Sequence, residues 1–427
     1  MTVVEPPTTR TDDVAPELRR TLTLPWLVFY GVGVTVGAGI FALIGELVSV
    51  SGARAPLAFL VAGSIATITS LSYRDLVARM PRAGGEAIWV ARGIGASTGR
   101  AAGFGVVAAG MVSSAVVALA FGGYVGEVLP VAPLLVTVIA IAAITAIASF
   151  GARESIMLGG AVTLLEVGAL VLVIAFGLPD IASLDALTTA FTSGGPLETS
   201  GWFTPVLSGA ILAFFAFIGF EDIANMAEET VDPAKTAPRA IAWTLGISIT
   251  VYVLLSLIAV NVEDPASIAA SDAPMATLFE MVSGRGSDVI ATIAAIAMTN
   301  GILAQVMMSS RVIFGMGSER SLGRLSPFVA RVNPRRGTPV RATVAVGAVV
   351  AVLAVAVPLV HLARLTSVLI LGVFTLVNVA EVRFTMRDAA ENRAAPNRRM
   401  LLVGVAGAAL CAALATWECV NVVGELV

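Results

Sequence analysis

Residues 31–41 read GVGVTVGAGIF, inside a run from Leu24 to Val50 that is otherwise long and apolar enough to cross a bilayer. Four glycines in this stretch oppose an unbroken helix, because each costs about 1 kcal/mol relative to alanine in a helix interior. Backbone freed from helical hydrogen bonds at membrane depth must line a cavity. A broken helix whose half-helix amides and carbonyls face a central site is the device by which secondary transporters hold small charged solutes. The stretch therefore marks the chain as a transport candidate.

Composition agrees: 57% of residues are apolar, 13% are charged and the mean hydropathy is +0.92, whereas a soluble domain carries about twice that charge. Runs of about 20 apolar residues fall at Leu24–Val50, Pro56–Leu76, Gly99–Leu129, Val131–Phe150, Ser155–Leu178, Pro205–Ala227, Ala240–Val262, Val289–Met316, Val340–Leu359, Leu362–Val382 and Leu401–Val423. They predict an all-α polytopic membrane protein of about eleven transmembrane helices. Residues 1–23 are polar, hold Pro6, Pro7, Asp12 and Asp13, and read as a cytosolic tail without a cleavable leader pattern.

Basic residues set the expected orientation, since the cytoplasmic loops of polytopic proteins collect Arg and Lys. With the N-terminus inside, 23 of the 26 basic residues fall on the cytoplasmic side, and only Arg54, Arg285 and Arg364 fall outside. The reading is of a multi-pass protein of the cytoplasmic, or inner, membrane. Topology also accounts for the arginines between Arg311 and Arg341, so no nucleic-acid partner is expected. Cys411 and Cys419 lie in or beside the last span, and no structural disulfide is expected there. The sequence offers no metal cluster, P-loop or nucleophile–histidine pair, so neither a cofactor nor an enzymatic reaction is expected.

Five spans precede the outer segment 179–204, and five more follow before the last helix. An odd number of helices inverts the second copy. The loop between spans two and three is basic, whereas its counterpart between seven and eight carries Glu263, Asp264 and Asp272. The first-span break should then have a partner in the sixth span, and FFAFIGFED (214–222) provides it, with Gly219 followed by Glu221 and Asp222. Two inverted five-helix repeats, each opening on a broken helix, form an architecture for midplane binding. The expected parts are a first repeat at 24–178, the outer segment 179–204, a second repeat at 205–382, and residues 383–427 with accessory helix 11.

With these residues the chain resembles an amino acid permease of the amino acid/polyamine/organocation (APC) superfamily. The resemblance is carried by GVGVTVGAGIF together with LSYRDLVARMPRAGGEAIWV (71–90), FFAFIGFEDIANMAEETVDPAKTAPRAI (214–241) and SSRVIFGMGSERSLGRLSPFVARVNPRRGTPVRA (309–342), each similar to a family block in the expected order. It implies a 5+5 inverted-repeat fold, alternating access, and an amino acid or amine held between the first and sixth helices.

By position, the family's carboxylate-binding stretch falls on Thr35 to Ile40, where backbone amides near Gly37, Ala38 and Gly39 would face an anionic group at a half-helix N-terminus. The amino-group site matches Phe215, Ala216, Ile218 and Gly219, whose unwound carbonyls would accept from an ammonium. Phe215 or Phe217 would gate the ligand. The third span contributes Met111, Ser114 and Ala115, and the eighth Thr299 and Asn300. The plain alternatives are a helix-packing face at Gly33 and Gly37, with the small polar side chains acting in packing alone.

Ionisable residues inside spans are functional hypotheses by default. Glu221, two residues beyond Gly219, would accept a proton, pair with a cationic substrate, shape the gate, or simply cap backbone. Asp222 is its neighbour in the same roles. Glu166, in TLLEVGALVLVIAFG (163–177), stands where some proton-coupled relatives place a lysine. Its opposite charge leaves two readings open: a proton or cation carrier, or a hydrogen-bonded structural acid. Relatives commonly have twelve spans, so the eleven read here leave the oligomeric state open. The expected function is secondary transport of an amino acid or related amine, proton-coupled or by exchange. The alternatives are a polyamine or amino-alcohol carrier and a nutrient sensor on the same scaffold.

Overall fold

The computed structural model describes residues 20–81, 85–150, 156–181, 203–318, 323–333, 338–391 and 397–426. The helices are α1 (Leu24–Thr35), α2 (Ala38–Ser51), α3 (Ala55–Arg79), α4 (Gly85–Gly93), α5 (Ala96–Val128), α6 (Pro133–Phe150), α7 (Ile156–Ile181), α8 (Phe203–Phe217), α9 (Asp222–Asn225), α10 (Pro233–Asn261), α11 (Pro265–Ala269), α12 (Pro274–Ser283), α13 (Asp288–Ser318), α14 (Ser326–Val329), α15 (Val340–Ala356), α16 (Leu359–Ala390) and α17 (Arg398–Leu426). Among the described residues the only β-type pairing is one bridge between Leu22 and Thr230.

Nine stretches of these helices are long and apolar enough to cross a bilayer, and Leu24–Thr35 and Val340–Ala356 are shorter apolar helices beside them. Ala38–Arg79 holds both α2 and α3, so with α1 completing the first crossing, α3 as the second, α8 with α9 as the sixth and Val340–Ala356 as the ninth, the described helices make eleven crossings. The chain is thus an all-helical multi-pass membrane protein with the eleven crossings expected. Proline at the first turns of α1, α3, α10 and α12 starts helices where its missing N–H costs nothing.

The packing repeats with a period of five crossings. The first crossing lies on the sixth (α2 on α8), the second on the seventh (α3 on α10), the third on the eighth (α5 on α13) and the fourth on the ninth (α6 on α15). The fifth crossing packs on the first (α7 on α1) as the tenth packs on the sixth (α16 on α8). The two broken crossings therefore lie together, enclosed by the rest.

Lipid cannot drive apolar helices together, so small residues and buried polar groups do that work. Asn378 of α16, wholly buried, accepts from Ser72 at 2.7 Å and donates to Thr69 at 3.1 Å, both on α3. Two aromatic clusters fill the spaces around the broken crossings. One joins Phe59, Phe217 and Tyr252, and the other Tyr73, Trp89, Phe220 and Phe374.

Candidate functional site

Helix α1 runs as far as Thr35, where the Val36 amide still donates to Val32 O at 2.7 Å. Gly37 then leaves helical geometry with ψ −132°, and α2 begins at Ala38 without a side-chain cap. The opening amides of α2 therefore lack intrahelical acceptors and carry the positive end of the half-helix dipole. A β-carbon at Gly37 would stand 2.9 Å from Gly33 O and 3.5 Å from both carboxylate oxygens of Glu166 on α7. The Thr35 hydroxyl, 2% exposed, has no hydrogen-bond partner among the described residues.

The second break follows Phe217. Gly219 adopts φ +126°, a region that side chains disfavour, and a β-carbon there would meet Val34 Cγ1 at 2.9 Å and Val34 O at 3.1 Å. Its amide donates to Oε2 of Glu221 at 2.8 Å, while Gly219 O accepts from the Asp222 amide at 3.1 Å. The first break thus touches the second directly through Val34. At their other contact, a β-carbon on Gly39 would be 3.0 Å from Ala216 Cα and 3.6 Å from the Phe215 ring.

Tyr252 of α10 joins the two. Its hydroxyl lies 2.5 Å from Thr35 O and 2.7 Å from Ala216 O, the carbonyl ends of α1 and α8. One hydroxyl proton can serve only one of these carbonyls at a time. The sequence reading did not single out Tyr252. The signal available was a tyrosine in an apolar span, whose buried hydroxyl needs a partner, but the identity of that partner comes only from the packing of three helices.

Most of the residues expected at the site converge here: Thr35, Gly37, Ala38 and Gly39 on one side, Phe215, Ala216, Ile218 and Gly219 on the other, with Glu166 against Gly37. Asn300 is half-buried on α13, next to Gly301, whose own β-carbon position is 3.8 Å from that of Ala38. Met111 is half-buried on α5, and Ile40 is fully buried in the core. Ser114 donates to Gly110 O at 2.8 Å and Thr299 to Ala295 O at 2.9 Å, each within its own helix. Phe217 packs ring to ring 6.3 Å from Phe59 and 5.1 Å from Tyr252.

One detail of the expectation is corrected. Phe215 and Ala216 are helical, because α8 propagates to Phe217 and unwinds only from Ile218. Their carbonyls are engaged, the first by the Ile218 amide at 3.2 Å and the second by Tyr252. At the first break Thr35 closes α1 and α2 opens at Ala38, so the unwound backbone is Val36–Gly37 and the amides near Gly37, Ala38 and Gly39 lie at a half-helix N-terminus.

Beyond the second break lies a narrow cleft between α4, α5, α13, α16 and residues 218–225. Its polar lining is Tyr73 of α3 with Glu86, Ser113, Glu221, Asp222, Asn225 and Gln305. Glu86 was not among the residues expected at the site.

The model of the family described as "Amino acid permease" matches residues 21–425. The chain belongs to the amino acid permease family. This permease is 32% identical over 405 residues to an uncharacterized transporter of Mycobacterium tuberculosis, covering 94% of this chain and 87% of that one. It is 28% identical over 390 residues to the branched-chain amino acid permease BcaP of Bacillus subtilis, covering 86% and 81% of the two chains. Vacuolar cationic amino acid transporter 2 of Arabidopsis thaliana is 30% identical over 397 residues, covering 85% of this chain and 59% of the plant protein. The Bacillus and Arabidopsis relatives are an amino acid permease and a cationic amino acid transporter of the APC superfamily.

Proposed function

We propose that this permease moves an amino acid or a related amine across the cytoplasmic membrane by alternating access, coupled to protons or to exchange. The observation that carries the reading is the pairing of opposite dipole ends at the two breaks. The open amides at Ala38–Ile40 suit a carboxylate, and the carbonyl ends of α1 and α8 suit an ammonium, held in one place by Tyr252. A zwitterion matches both ends at once. The inverted units span 24–178 and 205–382, with the N-terminus cytoplasmic, and they rock about this point. The Bacillus relative is named for branched-chain amino acids and the Arabidopsis relative for cationic ones, and both side-chain classes fall within the reading.

The test is uptake of radiolabelled amino acids into proteoliposomes, with and without an inward proton gradient and with and without internal amino acids, competed by amines that lack a carboxylate. Flux that follows the gradient assigns symport, and flux that needs internal solute assigns exchange. Competition by carboxylate-free amines as strong as by amino acids would remove the carboxylate site and favour a polyamine or amino-alcohol carrier. Binding without flux in either format would overturn transport in favour of a sensor.

A further inference from the structure

Glu86 follows Gly85 at the start of α4, a short helix outside the long apolar crossings, and is only 4% exposed. Of the basic residues that flank it in sequence, Arg82 lies outside the described residues, and Arg79 and Arg92 turn elsewhere. Arg79 is held by Asp75 and Asp388, with Glu381 at 4.0 Å, and Arg92 reaches the sulfur of Met80 at 3.6 Å. Among the described residues no ion pair involves Glu86. Its side-chain partner is Tyr73, whose hydroxyl donates to Oε1 at 3.3 Å. The Tyr73 ring packs in turn on Phe220 at 5.5 Å and Phe374 at 5.3 Å, so Glu86 is tied to the second break through that stack.

Three carboxylates from separate positions, Glu86, Glu221 and Asp222, line the cleft, and its described lining contains no Lys, Arg or His. A second, independent feature points the same way. Gln305 Oε1 on the cleft wall is buried without a hydrogen-bond partner, and so is the hydroxyl of Ser309, which is wholly buried. Both converge on Gly110, also of the cleft wall, each 2.9 Å from where a β-carbon on it would stand. Carboxylates buried without a counter-ion among the described residues, and buried polar atoms without a partner, are costly. A guanidinium or ammonium, with several N–H donors and a positive charge, satisfies both. The cleft is nearly closed, with room of about 20 Å³, about one water molecule's worth, so a larger occupant requires the Tyr73–Phe220–Phe374 stack to move.

We propose that Glu86 is a specificity-determining residue that makes this cleft select solutes by charge, favouring amino acids with a cationic side chain and turning away those with a second carboxylate. The inference rests on the transport reading above and narrows its substrate class. Among the described residues the titratable groups facing Glu86 are Tyr73 from α3 and Glu221 and Asp222 from the second break. The neighbouring α5 and α16 present Val106, Ala109, Ile370, Val373 and Phe374 to the cleft. Burial holds the Glu86 carboxyl up at about 7, so it is charged above that pH and neutral below it. The preference for a cation therefore weakens as pH falls through about 7.

The experiment compares radiolabelled arginine and leucine uptake by the full-length permease in proteoliposomes, for the wild type, Glu86→Gln and Glu86→Asp. Glu86→Gln should raise the ratio of arginine KM to leucine KM by about tenfold, and Glu86→Asp, which keeps the charge, should restore most of it. The wild-type ratio should also rise between about pH 8 and about pH 6, independently of whether either variant folds. A ratio unchanged in Glu86→Gln, or both KM values shifting together, overturns the charge role and leaves Glu86 as a prop for Tyr73. A wild type that carries leucine and excludes arginine overturns it too, while one that carries neither overturns the transport reading itself.

Discussion

The two broken helices solve one physical problem in opposite ways. At the first break the half-helix N-terminus of α2 has no cap of its own, and what approaches it, Glu166 on α7, comes from another crossing. At the second the chain closes on itself, with Glu221 accepting from the amide of Gly219 two residues back. On the proposed reading the open positive end at the first break suits a solute's anionic group, whereas the second break, its turn closed by Glu221, offers the carbonyl end of α8 on a rigid turn. The comparison therefore sets an uncapped break against a self-capped one that carries charge into the adjoining cleft.

The largest effect expected is from Gly37→Leu. The new side chain starts 2.9 Å from Gly33 O and against the Glu166 carboxylate, so it fills the open break. Substrate binding by isothermal titration should be lost, by about 100-fold or more, equivalent to about 3 kcal/mol. Retained binding would show that the first break is a packing face.

Gly219→Ala tests the other side as a matter of fold. A β-carbon at φ +126° and 2.9 Å from Val34 should destabilise the protein by about 2 kcal/mol or more, seen as a lower thermal unfolding midpoint in detergent. An unchanged midpoint would mean that the second break relaxes freely and is no rigid turn.

Tyr252→Phe removes the hydroxyl shared by Thr35 O and Ala216 O while keeping the ring against Phe59 and Phe217. Loss of one buried hydrogen bond should cost about 1–2 kcal/mol, with uptake falling about tenfold. Uptake at the wild-type level would show that the two breaks are held by packing alone.

Glu221→Gln is the finest discriminator. The amide oxygen still accepts from Gly219, so folding should persist while the pH dependence of uptake flattens. Unchanged pH dependence would leave Glu221 as a cap and remove it from coupling. For Glu166→Gln the expected change is smaller, a modest shift in KM with the same pH profile, because its carboxylate lies beside the first break rather than within the chain's own turn.

How much of this was legible in the sequence follows from the range of the forces involved. Hydropathy and glycine placement are local properties, so the crossings, both breaks and the pairing of the first with the sixth could be read directly. The glycines at the breaks, Gly37 and Gly219, were legible for the same reason, since clustered glycine in a lipid-spanning segment serves to bare backbone or to let helices approach closely, whereas the carboxylate role of Thr35–Ile40 came from the family resemblance alone. The end of α8 at Phe217 rather than before Phe215 was not legible, because helix propagation is cooperative and continues until packing against Val34 stops it at Gly219. Tyr252 and Glu86 were missed for a related reason. A lone tyrosine in an apolar span and a glutamate in a basic loop acquire meaning only from partners far away in the chain.

By itself, then, the sequence determined that this is an eleven-crossing helical membrane protein with two glycine-marked breaks, because burial in lipid permits almost no other use of such a composition. Only the tertiary structure decided which carbonyls Tyr252 takes, that Glu221 caps Gly219, and that Glu86 lines an acidic cleft beside Glu221 and Asp222. Those outcomes depend on distances between helices many residues apart, which no local pattern specifies.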